Sequence, residues 1–444
     1  AEQMAPLQAD RNRQFTVDRE PLRNNDALQL IHSRVRGPFS FLNPTQASYE
    51  HKIHVSPSRD HLRSTSTPLS TTASALPTEA STRPAANVEY KWTARDNRKG
   101  RHTLVIKKPS VEHPEANVTA PRSTTHWRSI LHTIWLMLTF YPVWDISWCV
   151  AYIFTLGSVL WVINAFFAFL PLIRPSSTFH NEVLDGGGIT AFIGATIFEV
   201  GSVLLMLEAI NENREGCFGY AVESAYEQHF GRTEAGKGSG LKIVPRDDAC
   251  THHHRNKTNL VGKPHQIPLE TPVSDSEKQQ PAKTDSWVWW PSWVDLKSHY
   301  FHELGFIASL SQFLGATVFW ISGFTALPGI LNVLSPGLSD GIYWTPQVIG
   351  GTGFIVSGWL FMIETQKHWW QPAPRVLGWH IGFWNFIGGI GFTLCPAFGY
   401  DPSSWAQYQA SCSTFWGSWA FLIGSVIQLY ESLEKTPVRK EGSA

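Results

Sequence analysis

Hydrophobic residues gather into six long runs in the later two thirds of the chain, near 146–170, 189–210, 304–327, 346–363, 379–397 and 414–430. Each run is long and apolar enough to cross a hydrocarbon core ~30 Å thick at ~1.5 Å per residue, and so predicts a transmembrane helix. Buried helices of a soluble bundle usually keep a polar stripe, whereas Thr190 to Leu207 holds a single charged residue, Glu199. Before residue 126 the pattern changes. The chain there is rich in Ser, Thr, Pro, Asn and Arg, and Ser56 to Pro84 has too few apolar positions to offset chain entropy, so 1–125 reads as a disordered tail. Inside it, Val88 to Trp92 and Thr103 to Ile106 flank Arg98, Lys99 and Gly100 and predict a short hairpin over 88–106.

The rest of the chain divides on the same grounds. Residues 126–210 hold an interfacial stretch and the first two spans, 211–286 form a polar loop, 287–434 hold the last four spans, and 435–444 form a short tail. The stretch 129–141 could lie along the membrane surface or extend the first span. The expected architecture is all-α: a polytopic membrane protein of six transmembrane helices.

Within the spans one small motif recurs: a Gly, a Phe four positions on, and small residues at seven and eight. It reads Gly194, Phe198, Gly201, Ser202; Gly350, Phe354, Ser357, Gly358; and Gly417, Phe421, Gly424, Ser425. Weaker copies are Gly315, Phe319, Ser322, Gly323 and Gly388, Phe392, Cys395, Pro396, and a sixth, Phe154, Gly157, Ser158, lacks the leading Gly. At ~100° per residue these positions fall on one helix face. Helices in lipid associate by close backbone approach at small residues, so the stripe predicts a packing seam with each Phe beside a neighbour's Gly. The three full copies end in Glu208, Glu364 and Glu431 at position fourteen, so the repeating unit reads as a helical hairpin used three times. Carboxylates at helix C-termini oppose the macrodipole, and three at equivalent positions imply a partner such as Lys, Arg or another hairpin's backbone, as a structural clamp rather than an ion site.

Charge sets orientation. The 444 residues average 43% hydrophobic with a mean hydropathy of −0.14 and no net charge, which removes any global argument for nucleic-acid binding. Locally, Arg95, Arg98, Lys99, Arg101, Lys107, Lys108, Arg122 and Arg128 precede the first span, and Lys367, Arg375, Lys435, Arg439 and Lys440 follow even spans. Of the opposite loops, 171–188 holds only Arg174, while 328–345 and 398–413 hold no Lys or Arg, which places both termini in the cytosol. Which membrane is involved is left open. The polar N-terminus shows no signal-peptide pattern.

Candidate chemistry is sparse. Glu199 lies midway along the second span, and an intramembrane carboxylate is a functional-site hypothesis, with Asn164, Gln312, His380, Asn385 and Gln428 as available polar partners. Cys250, His252, His253 and His254 crowd one loop, but zinc sites normally use separated ligand pairs, so this is a weak metal candidate. Cys395 and Cys412 flank the last non-cytosolic loop and could form a disulfide or stay as free thiols. The sequons at Asn117 and Asn256 fall on the cytosolic side and should carry no glycan. No phosphate loop, metalloprotease helix or nucleophile elbow is present, so neither an enzyme nor a cofactor is indicated.

The hairpin end Phe198-Glu-Val-Gly-Ser-Val-Leu-Leu-Met-Leu-Glu208 and its relative Phe421-Leu-Ile-Gly-Ser-Val-Ile-Gln-Leu-Tyr-Glu431 resemble the two-span YrhK-like domain. Over residues 126–434 the chain also resembles fungal multi-pass integral membrane proteins of unassigned function. Both resemblances imply membrane placement and no particular chemistry. The expected function is a structural or scaffolding membrane component, with the bilayer and homo- or hetero-oligomeric neighbours as partners. The alternative is a small-solute or proton-coupled transporter using Glu199.

Overall fold

The computed structural model describes residues 8–16, 19–21, 28–51, 88–106, 123–212, 218 and 287–440. Ser56 to Pro84, both sequons, and Cys250 with His252, His253 and His254 lie outside the described residues. Among the described residues, six helices are long and apolar enough to cross a membrane: Ile146–Ile173, Glu182–Ile210, Leu304–Thr325, Pro336–Glu364, Leu377–Gly399 and Ser404–Leu433. The protein is a multi-pass membrane protein.

A small sheet precedes them: β1 (Leu28–Leu30), β2 (Gln46–His51), β3 (Val88–Thr93), β4 (Thr103–Ile106) and, from the far end of the chain, β5 (Val438–Lys440), in that spatial order. The first four strands run antiparallel, with Tyr49 opposite Tyr90 and Ala47 opposite Trp92, and β5 adds in parallel to β4. Alternation puts Ala47, Tyr49, Tyr90 and Trp92 on one buried face together with Leu28, Leu30 and Phe15. The hairpin expected at 88–106 is therefore β3 and β4 within a larger sheet, and residues 28–51, assigned from sequence to the disordered tail, supply two of its strands.

Between β3 and β4 sits a one-turn helix, α1 (Ala94–Arg98), capped by Thr93, whose hydroxyl accepts from the Asp96 amide at 3.0 Å. Lys99 ends it, and Gly100, at φ +59°, supplies the left-handed residue that turns the chain back into β4. Next, α2 (Trp127–Thr139) is a separate helix that leaves Trp127, Leu131, Trp135 and Leu138 exposed. It does not extend the first span: the chain breaks after it, and Asp145 caps the next helix by accepting from the Ser147 and Trp148 amides.

The main helices are α3 (Ile146–Ile173), α4 (Gly188–Ile210), then after a short α5 (Trp293–Ser298), α6 (Leu304–Thr325), α7 (Thr345–Glu364), α8 (Leu377–Gly399) and α9 (Ser404–Leu433). They form a closed ring in chain order. Each main helix packs on its predecessor and successor, and α9 closes on α3. Contacts between the expected hairpins are as extensive as those within them, so the packing does not single out three hairpin units. Outward faces carry exposed Val200, Val203, Leu314, Ile321 and Val426, as a lipid-facing surface requires.

Candidate functional site

The repeated Phe of every motif points to the ring axis. Phe154, Phe198, Phe319, Phe354, Phe392 and Phe421, one from each main helix, form a buried aromatic plug joined by Trp161. Ring centroids lie 5.4 Å apart for Phe154–Phe198, 5.6 Å for Phe319–Phe354 and 5.1 Å for Phe392–Phe421, with Trp161 at 4.9 Å from Phe392. Such pairs are mutually favourable by ~0.5–1.5 kcal/mol each, and dispersion contacts replace the hydrophobic drive that lipid removes.

The glycines of the motif are where backbones or rings come closest. A Cβ added at Gly350 would lie 2.6 Å from both the Gly315 carbonyl oxygen and Phe319 Cβ, and one at Gly388 would lie 2.7 Å from the Phe421 ring. Gly194 faces Trp161, Gly201 faces Phe154, Gly358 faces the Phe386 backbone, Gly417 faces Gly391, and Gly424 faces Asn385. The serines close their own hydroxyls locally: Ser202 and Ser425 donate to the Phe198 and Phe421 carbonyls at 2.8 and 2.9 Å. Ser425 also donates to Ser158 at 3.3 Å, across the α9–α3 closure, and Ser357 faces the ring interior.

On one side of the plug the ring ends in a cationic lid. Glu208, Glu364 and Glu431 stand at the ends of α4, α7 and α9 with only 1–2% of each residue exposed. Their partners all come from α1 and its flank. Arg98 engages Glu364 through both terminal guanidinium nitrogens, Nη1 donating to Oε1 and Nη2 to Oε2 at 2.9 Å. Arg95 donates to Glu431 at 2.7 and 3.3 Å, and Arg101 adds a 3.0 Å bond to Glu431 while bonding Asp96 at 2.9 Å. Lys99 Nζ lies 3.4 Å from Glu208 Oε1. The arginines are seated on glycines at the entry of their neighbour helices: a methyl at Gly305 would overlap the Arg98 guanidinium, and one at Gly378 would sit 2.6 Å from Arg95 Nε.

Burial alone would make these cations easier to discharge, but Glu364 and Glu431 reverse that for Arg98 and Arg95, whose pKa values rise. Lys99 behaves oppositely: burial pulls it down despite Glu208. Its Nζ and Glu208 Oε2 are both buried without a hydrogen-bond partner. Both residues line a chamber of about 40 Å³ beneath the lid, walled by Phe154, Phe198, Ser357, Gln312, Asn385 and Gln428. Beyond the plug, toward the opposite membrane face, lies a second chamber of about 270 Å³ lined by Trp161, Asn164, Phe319, Gln347, Phe392, Cys395 and Thr414.

Other candidate residues fall elsewhere. Glu199 is half-buried between α4 and α6, accepts a 3.0 Å hydrogen bond from Thr317, and lines neither chamber. None of its five expected partners reaches it: Asn164 donates to the Gly187 carbonyl and Thr190, His380 Nε2 contacts the Pro374 carbonyl, and Gln312, Asn385 and Gln428 line the lid-side chamber. Cys395 and Cys412 are free thiols, each held inside a helix because α8 and α9 extend past them toward their shared loop. The basic residues read from sequence as topology signals are the partners of the three carboxylates. Their i, i+3, i+4 spacing at Arg95, Arg98 and Lys99 was the available signal. Compared with known protein families, with curated proteins and with solved structures, the chain matches none of them.

Proposed function

We propose that this membrane protein encloses a path for a small polar solute along its ring axis, held closed by the aromatic plug and by the N-terminal lid. The supporting observation is the pair of chambers in line on either side of the plug, each with polar side chains in a largely apolar wall, the lid-side one presenting Lys99 Nζ and Glu208 Oε2 without hydrogen-bond partners. The lid strengthens the reading. Buried ion pairs rarely stabilise more than apolar residues of the same volume would, so four cations set against Asp96 and the three helix-end carboxylates, all buried, argue for specificity or switching over bulk stability. Glu199 is not part of this path. We place the lid and both termini in the cytosol by the distribution of Lys and Arg.

One observation favours the scaffolding reading: the plug fills the axis with side chains from all six main helices. Reconstituted vesicles separate the two. Osmotic shrinkage is followed with glycerol, urea and potassium chloride for the wild type, for a plug-opened Phe354→Ala variant and for a lid-released Lys99→Met/Glu208→Gln variant, each checked for a monodisperse detergent particle. A conduit gives a slow wild type and faster passage of at least one probe in either variant. A scaffold leaves both variants as tight as protein-free vesicles, and that result removes the proposal.

A further inference from the structure

Beside the lid, where α4 ends and α6 begins, Glu212, His299 and Glu303 meet. One imidazole nitrogen and one oxygen from each carboxylate lie within 4.8 Å of one another. His299 Nε2 is 3.8 Å from Glu212 Oε1 and Nδ1 is 3.9 Å from Glu303 Oε1, too far for direct hydrogen bonds. Ligands ~2.1 Å from a tetrahedral ion sit ~3.4 Å apart, so modest side-chain rotations close the set around one cation.

We propose that Glu212, His299 and Glu303 bind a single divalent transition-metal ion of the zinc class. An imidazole with two carboxylates is a nitrogen–oxygen donor set suited to such an ion, and three protein ligands leave a position for water. The side chains are sheltered, with 26, 12 and 12% exposure for Glu212, His299 and Glu303. Arg98 and Arg19, the guanidiniums that act on Glu212, are engaged by Glu364 and Asp295.

The surroundings hold the ligands in place without a metal. Asn211 Nδ2 donates to the Val288 carbonyl while its Oδ1 accepts from the Val288 amide, both at 2.8 Å, and Tyr300 donates to the Ile210 carbonyl at 2.9 Å, which fastens the end of α4 to the segment before α6. Each carboxylate also has an orienting amide: Asn97 donates to Glu212 at 2.9 Å and Asn43 to Glu303 at 2.7 Å. Asn43 is itself fixed by Arg11 Nε, which donates to its Oδ1 at 2.6 Å, and by its own backbone N–H, which donates to the His302 carbonyl at 2.9 Å. Outer-shell partners of this kind set ligand orientation and basicity. Both amides belong to the N-terminal region, so an ion here would tie that region to the ring.

The test uses the full chain in detergent, without a polyhistidine tag and with His252→Ala, His253→Ala and His254→Ala to remove the loop imidazoles. Equilibrium dialysis against Zn²⁺ is expected to retain one equivalent, and Co²⁺ to give visible ligand-field absorption. His299→Ala should abolish both signals, Glu303→Gln or Glu212→Gln should weaken binding at least about tenfold, and Asn43→Ala about 10–100-fold. Should one variant fail to give a monodisperse particle, the others carry the test. A parent that retains no zinc, or folded His299→Ala and Glu303→Gln variants that bind as the parent does, overturns the site.

Discussion

Removing the Arg98 side chain tests how the lid is held. Glu364 is a carboxylate with 1% side-chain exposure, and Arg98, at 4%, is its bidentate partner. Arg98→Met therefore strands a buried negative charge, a change that typically costs ~3–5 kcal/mol, or a factor of ~10²–10⁴ in the equilibrium it governs. A further contribution is lost because the guanidinium also lies 5.9 Å from the Phe361 ring centre, worth ~1–2 kcal/mol when desolvated. At ~2 °C per kcal/mol for a large chain, the two losses together should lower the melting midpoint in detergent by ~8–14 °C. The second arm is decisive. Arg98→Met/Glu364→Leu removes both charges, and apolar replacement of a buried pair is near neutral, so the double variant should recover most of the loss and melt within ~4 °C of wild type. A single variant that melts within 1–2 °C of wild type would show that the carboxylate is solvated after the cation leaves. A double variant worse than the single would show that the charges, and not the packing, hold the lid.

Gly350→Ala places a methyl 2.6 Å from a backbone oxygen of α6, where little can yield, and should cost ~1–3 kcal/mol; Gly187→Ala, with nothing within 4 Å, should change stability by less than ~1 kcal/mol, and equal melts for the two would refute the close-approach argument. Glu199→Gln keeps an acceptor for Thr317 and lies off both chambers, so it should shift stability by less than ~1 kcal/mol and leave the permeability of Phe354→Ala vesicles unchanged. Loss of that permeability would bring Glu199 back into the path. Cys395 and Cys412 should both react with a small thiol reagent after denaturation without reductant; protection of the pair until reduction would reveal a bridge absent from the structure.

The spans were readable because lipid demands long apolar runs, and α3, α4, α6, α7 and α8 begin and end within a few residues of the positions expected. The last helix was underestimated: α9 starts at Ser404 under a Ser403 cap, and its polar first turns, through Gln407 and Gln409, fall below any hydropathy threshold. The motif's Phe positions were visible as a stripe, but six stripes meeting on one axis is a property of ring closure, which no single helix encodes. The glutamates announced a missing partner. Arg95, Arg98 and Lys99 lay more than 100 residues away; the hairpin around them was legible over 88–106, but the surrounding stretch reads as a polar tail because β2 and β3 bury only one face, against Phe15 and the residues of β1. The Glu212, His299 and Glu303 grouping was likewise invisible, since 86 residues separate the first two.

The lid also imposes a sequence of events on biogenesis. Arg95, Arg98 and Lys99 are translated before every one of their acidic partners, which then emerge one by one behind the second, fourth and sixth crossings, with β5 last. A chain halted after four crossings would hold Arg95 without its direct partner Glu431 and leave β4 as a bare sheet edge, a surface open to illicit pairing. Only a completed insertion therefore neutralises, on the lid side, the positive charge that α1 and its flank carry.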